Sequence, residues 1–173
     1  MLSCILGVIC GVFIIIADQL SKYFIVSDLV LGEQHRFISG IVNIVFVENH
    51  GAAWGMLSGK RWILLCFTAL AMIICIIWLI KTGSKSKLLF WSLCLVIAGG
   101  IGNMIDRIFR DGIVVDFLQF DFWQNFPVFN IADCAIVIGG AMLIIYFLLD
   151  TLKHYSHGKE SNPEESFKSD ESN

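Results

Sequence analysis

Four apolar runs in one chain of 173 residues leave few ways to fold it. The first runs from Leu2 to Ala17 and resumes beyond Asp18 at Tyr23 to Val26. The others are Trp62 to Ile80, Leu88 to Ile105 and Ile131 to Leu149. A helix needs about 20 apolar residues to cross the hydrocarbon of a bilayer. The last three runs come close to that length, and the first does so only if its Asp18 end lies at the interface. Hydrophobic residues make up 57% of the chain and charged ones 16%, too few charges to cover so much apolar surface in water. The expected fold is an all-α integral membrane protein with four transmembrane helices and a small extracytoplasmic region of β-sheet and loops. The first run has no basic leader and is followed by Asp18 rather than a small-residue cleavage site, so it reads as a retained helix.

Four crossings put both termini on one side of the membrane. The segment Lys81 to Lys87 holds three lysines and Lys153 follows the fourth run, which makes that side cytoplasmic by the positive-inside rule. Lys and Arg nevertheless divide six and six between the two faces. Three of the outer six, Lys22, Arg107 and Arg110, sit at helix ends, where a functional role or snorkelling would account for them. The longer connections then lie outside. Gly40 to Val47 is rich in β-branched and aromatic residues and reads as a strand, with Gly112 to Phe120 a second. Unpaired strand edges are not tolerated in hydrocarbon, so the strands are expected to form a small sheet at the outer interface.

The domain expected within the membrane spans residues 1–153. Residues 154–173 form a polar, Ser-rich segment expected to be a disordered cytoplasmic tail. From Ser156 onward two lysines face five acidic residues, which accounts for the whole net charge of −3. The remainder is balanced, and no basic stripe exists to hold nucleic acid. The six cysteines all lie in apolar stretches without a CxxC pair and read as small apolar residues rather than metal ligands or disulfides.

Polar residues gather on the outer side: Asp18, Glu48, Asn49, Asn103, Asp106, Arg107, Asp116, Asn130 and Asp133. Charges in or near a membrane are costly, so a one-sided cluster points to a site. Each member also has a plain structural reading. Asp18 and Lys22 are an i,i+4 pair suited to a helix end. Asn130 fits an N-cap and Asp133 the third helical position, as in a capping box. Asp106 and Arg107 fit an interfacial charge pair, and Asp116 a solvated loop residue. Gly99, Gly100, Gly102, Gly139 and Gly140 suit close helix packing.

The chemistry open to such a cluster is narrow. The histidines are His35, His50, His154 and His157, the last two on the opposite side, and none completes a Ser–His–Asp set. There is no HExxH and no phosphate-cradling loop. Carboxylates remain. Two of them at short range share one proton. The ionised one serves as general base toward water while the protonated one polarises a carbonyl. That pairing hydrolyses an amide without metal, cofactor or covalent intermediate.

The chain resembles bacterial lipoprotein signal peptidase (signal peptidase II) from about Ile5 to Leu149. Four blocks carry the resemblance: Asp18-Gln19-Leu20-Ser21-Lys22; Glu48-Asn49-His50-Gly51-Ala52-Ala53-Trp54; Gly99 to Arg107 with Val114-Val115-Asp116-Phe117; and Phe129-Asn130-Ile131-Ala132-Asp133. The resemblance implies an aspartyl endopeptidase of the cytoplasmic membrane with its site at the outer face. It implies Asp116 and Asp133 as the catalytic dyad, Asn49, Asn103, Arg107 and Asn130 as substrate-binding residues, and Asp18 and Asp106 as their support. It implies lipidated prolipoproteins as substrates, cut before a diacylglyceryl-cysteine, with membrane lipid as surroundings, and a monomer is expected. A proton-coupled exporter would keep its charges nearer the bilayer midplane. A presenilin-like protease would carry Gly-x-Gly-Asp where this chain has Gly100-Ile101-Gly102-Asn103. A purely structural membrane subunit is a third alternative.

Overall fold

The computed structural model describes residues 2–51, 56–82 and 86–160. Each apolar run forms a helix: α1 (Leu2–Asp28), α2 (Arg61–Thr82), α3 (Lys87–Phe109) and α4 (Ile131–Glu160). All four are long and apolar enough to cross a membrane. The chain is a multi-pass membrane protein. α3 is central and packs against the other three helices. Of its apolar span 44% is buried, against 11–17% for the others. Most of the apolar surface of α1, α2 and α4 faces outward, including Phe13, Phe67 and Val137. In water those faces would be untenable, whereas lipid is as apolar as they are.

α1 does not break at its charged segment. Asp18 and Lys22 stay helical and fully buried, because each finds its partner across the bundle rather than at a surface. At the other end of the chain, α4 continues to Glu160, past the boundary expected at Lys153, so residues 154–160 are helical. The rest of the expected tail, from 161 on, lies outside the described residues.

Three strands form one antiparallel sheet in the order β1 (Gln34–Ile38), β2 (Val42–Asn49), β3 (Val114–Phe120). β2 and β3 correspond to the two strands expected from sequence. β1 was not expected, and it is exposed along its whole length. β2 is paired on both sides, and register shifts between Ile44 and Val47 mark an irregularity next to the site. Between α3 and β3 the chain reverses at Asp111 (φ +54°) and Gly112 (φ +91°), a left-handed turn that only Gly and, less readily, Asp or Asn adopt routinely. The reversal sends β3 back across the end of α3. All of the sheet lies at the bundle end where α1 and α3 finish and α2 and α4 begin.

Small residues set the helix spacing. A Cβ on Gly99 would collide with the Ala132 carbonyl oxygen, and one on Gly102 would sit 2.8 Å from Asp18 Oδ2. Gly139 lies against the Ser92 backbone and Gly100 against Met72. Gly140 departs from the expected packing role, since a Cβ there would meet nothing within 4 Å among the described residues. Gly99→Ala is therefore expected to cost about 1–3 kcal/mol through overpacking against backbone. Gly140→Ala is expected to be neutral or to gain up to about 1 kcal/mol from helix propensity. Thermal unfolding of the two variants in detergent, side by side, checks the contrast.

Candidate active site

The charged residues at this end of the bundle are organised around a buried cation. Lys22 Nζ lies 2.8 Å from Asp18 Oδ2 and 2.8 Å from Asp106 Oδ2. All three side chains have no solvent exposure. Lys22 also donates to Asn103 Oδ1 at 3.2 Å. Gln19 Nε2 donates to Asp18, Asp106 and the Gly102 carbonyl, tying α1 to α3. Arg110 Nε reaches Asp106 Oδ1 at 3.4 Å from the rim. Two carboxylates and one ammonium are thus fully partnered, the condition under which buried charges persist. Lys22 is not snorkelling toward water.

The network reaches α4 through that helix's unsatisfied backbone donors. Asp18 Oδ1 accepts from the Ala132 N–H at 2.9 Å. Asn130 is the N-cap: its Oδ1 accepts from the Asp133 N–H at 2.9 Å, and Asp133 Oδ2 accepts from the Asn130 N–H at 3.1 Å. This is the reciprocal capping box expected from sequence. The cap and the site are the same residues.

Asn130 carries the connection onward. Its Nδ2 lies 2.6 Å from Asp116 Oδ1 and 3.1 Å from Asn103 Oδ1. Asn103 Nδ2 in turn donates to Asp133 Oδ1 at 2.7 Å. Asp116 Oδ2 accepts from Asn49 Nδ2 at 2.9 Å, and Asn49 Oδ1 accepts from the Gly51 N–H. Asp116 and Asp133 are therefore bridged by one asparagine and flanked by two more. Asp116 is buried in β3, not a solvated loop residue. Burial, and then the neighbouring Asp133, push its carboxyl up to about 7, because both disfavour the charged form.

Arg107 is directed away from Asp106, so the two do not form the interfacial pair that their adjacency suggests. Its guanidinium donates to the Gly51 carbonyl at 3.0 Å and the Asn103 carbonyl at 3.4 Å. A fork with fixed angles suits two carbonyls better than a point charge does.

Asp116 and Asp133 both line a cavity of about 500 Å³, together with Asn49, Asn103 and Arg107. Its remaining wall is apolar and comes from Val114, from Phe120 and residues 126–129, and from the first turns of α4, including Val137 and Ile138. Those two α4 residues are also largely exposed. Five of the eight residues expected at the site (Asn49, Asn103, Arg107, Asp116 and Asp133) line the cavity, while Asn130, Asp18 and Asp106 lie behind it. Three contributors were not singled out from sequence. Lys22 was read as half of a local pair or as a helix-end cation with an unspecified role or snorkelling, Gln19 was part of a matched block without a role, and the aromatic wall of Phe120, Phe126 and Phe129 was unremarked. The density of Phe in Phe120–Phe129 was the available signal. Ala52, Ala53 and Trp54 of the second block lie outside the described residues.

Comparison with known proteins shows the family and the fold. The family described as signal peptidase (SPase) II matches residues 10–149. A lipoprotein signal peptidase of Enterococcus faecalis (strain ATCC 700802 / V583) is 44% identical over 133 residues, 77% of this chain and 81% of that one. Its counterpart in Bacillus pumilus (strain SAFR-032) is 42% identical over 137 residues, 79% and 88%. Two bacterial membrane enzyme structures solved by the in meso method superpose with TM-scores of 0.78 and 0.76, each at 36% identity. The first match covers 84% of this chain and 88% of that one, the second 82% and 92%.

Lys22→Met is expected to destabilise the protein by about 3–5 kcal/mol, the cost of leaving buried carboxylates without their cation. A melting temperature in detergent close to that of the wild type would mean that Asp18 and Asp106 tolerate burial unaided.

Proposed function

The chain belongs to the signal peptidase II family, and from that premise we propose that Asp116 and Asp133 are its catalytic pair. As an aspartic-type peptidase of that family it removes signal peptides from prolipoproteins. The observation that carries the assignment of the pair is the single residue Asn130. It contacts Asp116 through its side chain and Asp133 through its backbone, at the polar end of an otherwise apolar cavity.

The reaction follows from the surroundings of the two carboxyls. Asp116, buried and pushed up to about 7, holds the shared proton near neutrality. Asp133, in the first turn of α4, accepts from Asn103 and from a backbone N–H and is the ionised partner. Asp133 takes a proton from water, and the oxygen attacks the scissile carbonyl carbon while Asp116 donates to the carbonyl oxygen. When the tetrahedral intermediate collapses, the C–N bond breaks, Asp133 passes the proton that water lost to the departing amine, and one hydroxyl of the intermediate returns its proton to Asp116 as the new carbonyl forms. Asn49, Asn103 and Asn130 fix the carboxyl rotamers, Arg107 holds the Gly51 segment beside the bond, and Asp18 and Asp106 anchor Lys22 behind them.

The substrate is a prolipoprotein cut before its diacylglyceryl-modified cysteine. An apolar cavity walled partly by the outward face of α4 suits the acyl chains and the signal segment, both of which reside in hydrocarbon. The site faces the extracytoplasmic side of the cytoplasmic membrane and the termini face the cytoplasm. Support comes from Lys81, Lys87 and Lys153, which lie at the bundle end away from the site.

Asp116→Asn and Asp133→Asn are each expected to abolish cleavage of a lipidated prolipoprotein while leaving membrane insertion intact. The double variant should be little worse than either single one, because residues acting as a unit are not additive. Substantial turnover in a well-expressed single variant would remove that residue from the pair.

The pH dependence has a definite sign. Raising the pH removes the proton from Asp116, whose carboxyl lies at about 7, so the acid partner is lost. Above that value kcat/KM is expected to fall about tenfold per pH unit. A rate that stays flat to pH 9 would show that no carboxyl proton is needed.

A further inference from the structure

A second cavity, of about 300 Å³, adjoins the first and shares Asn49, Asp116, Pro127 and Val128 with it. The two differ in character. The first extends along the apolar face of α4, whereas the second is bordered by the end of β2 and by Ser58, with Glu48 and His50 among its lining residues. Glu48 and His50 are both substantially exposed to solvent. Glu48 Oε2 lies 3.9 Å from His50 Nε2, beyond hydrogen-bond length, so the carboxylate is not committed to that partner. Among the described residues the cavity's lining includes no Lys or Arg. The carboxyl side chains in its lining are Glu48 and Asp116, and Asp116 holds its proton near neutrality, so Glu48 is the one that distinguishes the rim.

A peptide bond seated at Asp116 has two sides, and the chain on each must go somewhere. The signal segment and the lipid belong with the apolar cavity. The polypeptide after the cysteine is destined for water, and the second cavity is where the shared wall at Asp116 meets a polar, solvated rim. We propose that this second cavity receives the residue that follows the lipidated cysteine. We further propose that Glu48 makes it favour a basic side chain over an acidic one. The proposal rests on the peptidase reading above and adds a specificity-determining residue to it. Glu48 touches neither Asp116 nor Asp133 in any described hydrogen bond and acts on selection, not on the chemistry.

The test uses the full-length protein in detergent and lipidated prolipoproteins that differ only in the residue after the cysteine, as Lys, Ser or Glu. Wild-type kcat/KM is expected to rank Lys above Ser above Glu, with Lys and Glu separated by about fivefold. That separation is what an exposed charge pair of roughly 1 kcal/mol supports. The difference should lie mainly in KM, since the interaction is made equally in the ground and transition states. Glu48→Gln should collapse the Lys-to-Glu ratio toward one, and Glu48→Lys should invert it. Because both substrates are assayed in one preparation, the ratio is independent of how much of a variant is folded. If Glu48→Lys does not fold, the Glu48→Gln ratio alone decides. Equal rates for all three substrates in the wild type, or an unchanged ratio in Glu48→Gln, would overturn the assignment while leaving the peptidase reading in place. Failure to cleave any of the substrates would overturn both.

Discussion

A buried ammonium holds this end of the bundle together. Lipid offers no hydrogen-bond partners, so each polar group that the active site requires must be satisfied by another part of the protein. Lys22 meets that demand for two carboxylates at once, at 2.8 Å each. From there the remaining requirements are met in turn. Asp18 spends its second oxygen on the Ala132 N–H at the start of α4, and Asp106 spends part of its capacity on the Val115 N–H and on Gln19. One cation thereby fixes α1 to α3, α3 to the sheet, and α1 to α4.

The site exploits the same economy. A helix that begins inside the protein needs acceptors for its first amides, and a water-activating carboxylate needs donors. Under the proposed assignment Asp133 answers both needs by sitting at the third position of α4 while Asn130 caps the helix. The asparagine amide left over from capping then faces Asp116. Structural and chemical roles are not alternatives here. The plain readings of Asp18–Lys22 and of Asn130–Asp133 are both true and are also how the site is assembled. By contrast, adjacency misleads for Asp106 and Arg107. Neighbours on a helix point roughly 100° apart, and these two serve different partners.

What the sequence made legible follows from how local each signal is. The four helices were visible because hydrocarbon imposes a length and a composition on every crossing. The capping box at Asn130 was visible because it spans only three residues. β1 was not visible: it is exposed throughout and carries Gln34, His35 and Arg36, so burial imposed no alternation on it. The extension of α4 to Glu160 was hidden for a similar reason, since beyond Leu149 polar residues replace the apolar ones that marked the helix. The role of Lys22 was concealed by a plausible local partner four residues away. The pair is real, but its second carboxylate lies on another helix, and no spacing along one helix reveals that. Gly140 shows the converse, a small residue in a promising pattern whose space is open.

The outer wall of the larger cavity has a kinetic consequence. Val137 and Ile138 line the cavity and are largely exposed on a helix long and apolar enough to cross a membrane, so the cavity opens along a face suited to lipid. A ligand that reaches the site past them arrives by lateral diffusion within a two-dimensional phase. Encounter frequency is then governed by how many ligand molecules share each unit of bilayer area, and the bulk molarity of the suspension drops out. Adding bare lipid to a fixed quantity of enzyme and ligand would slow their meeting without altering either total. A water-soluble fragment of the same ligand, however similar in sequence, would be excluded from that route by its partition coefficient before any contact at the site could discriminate against it.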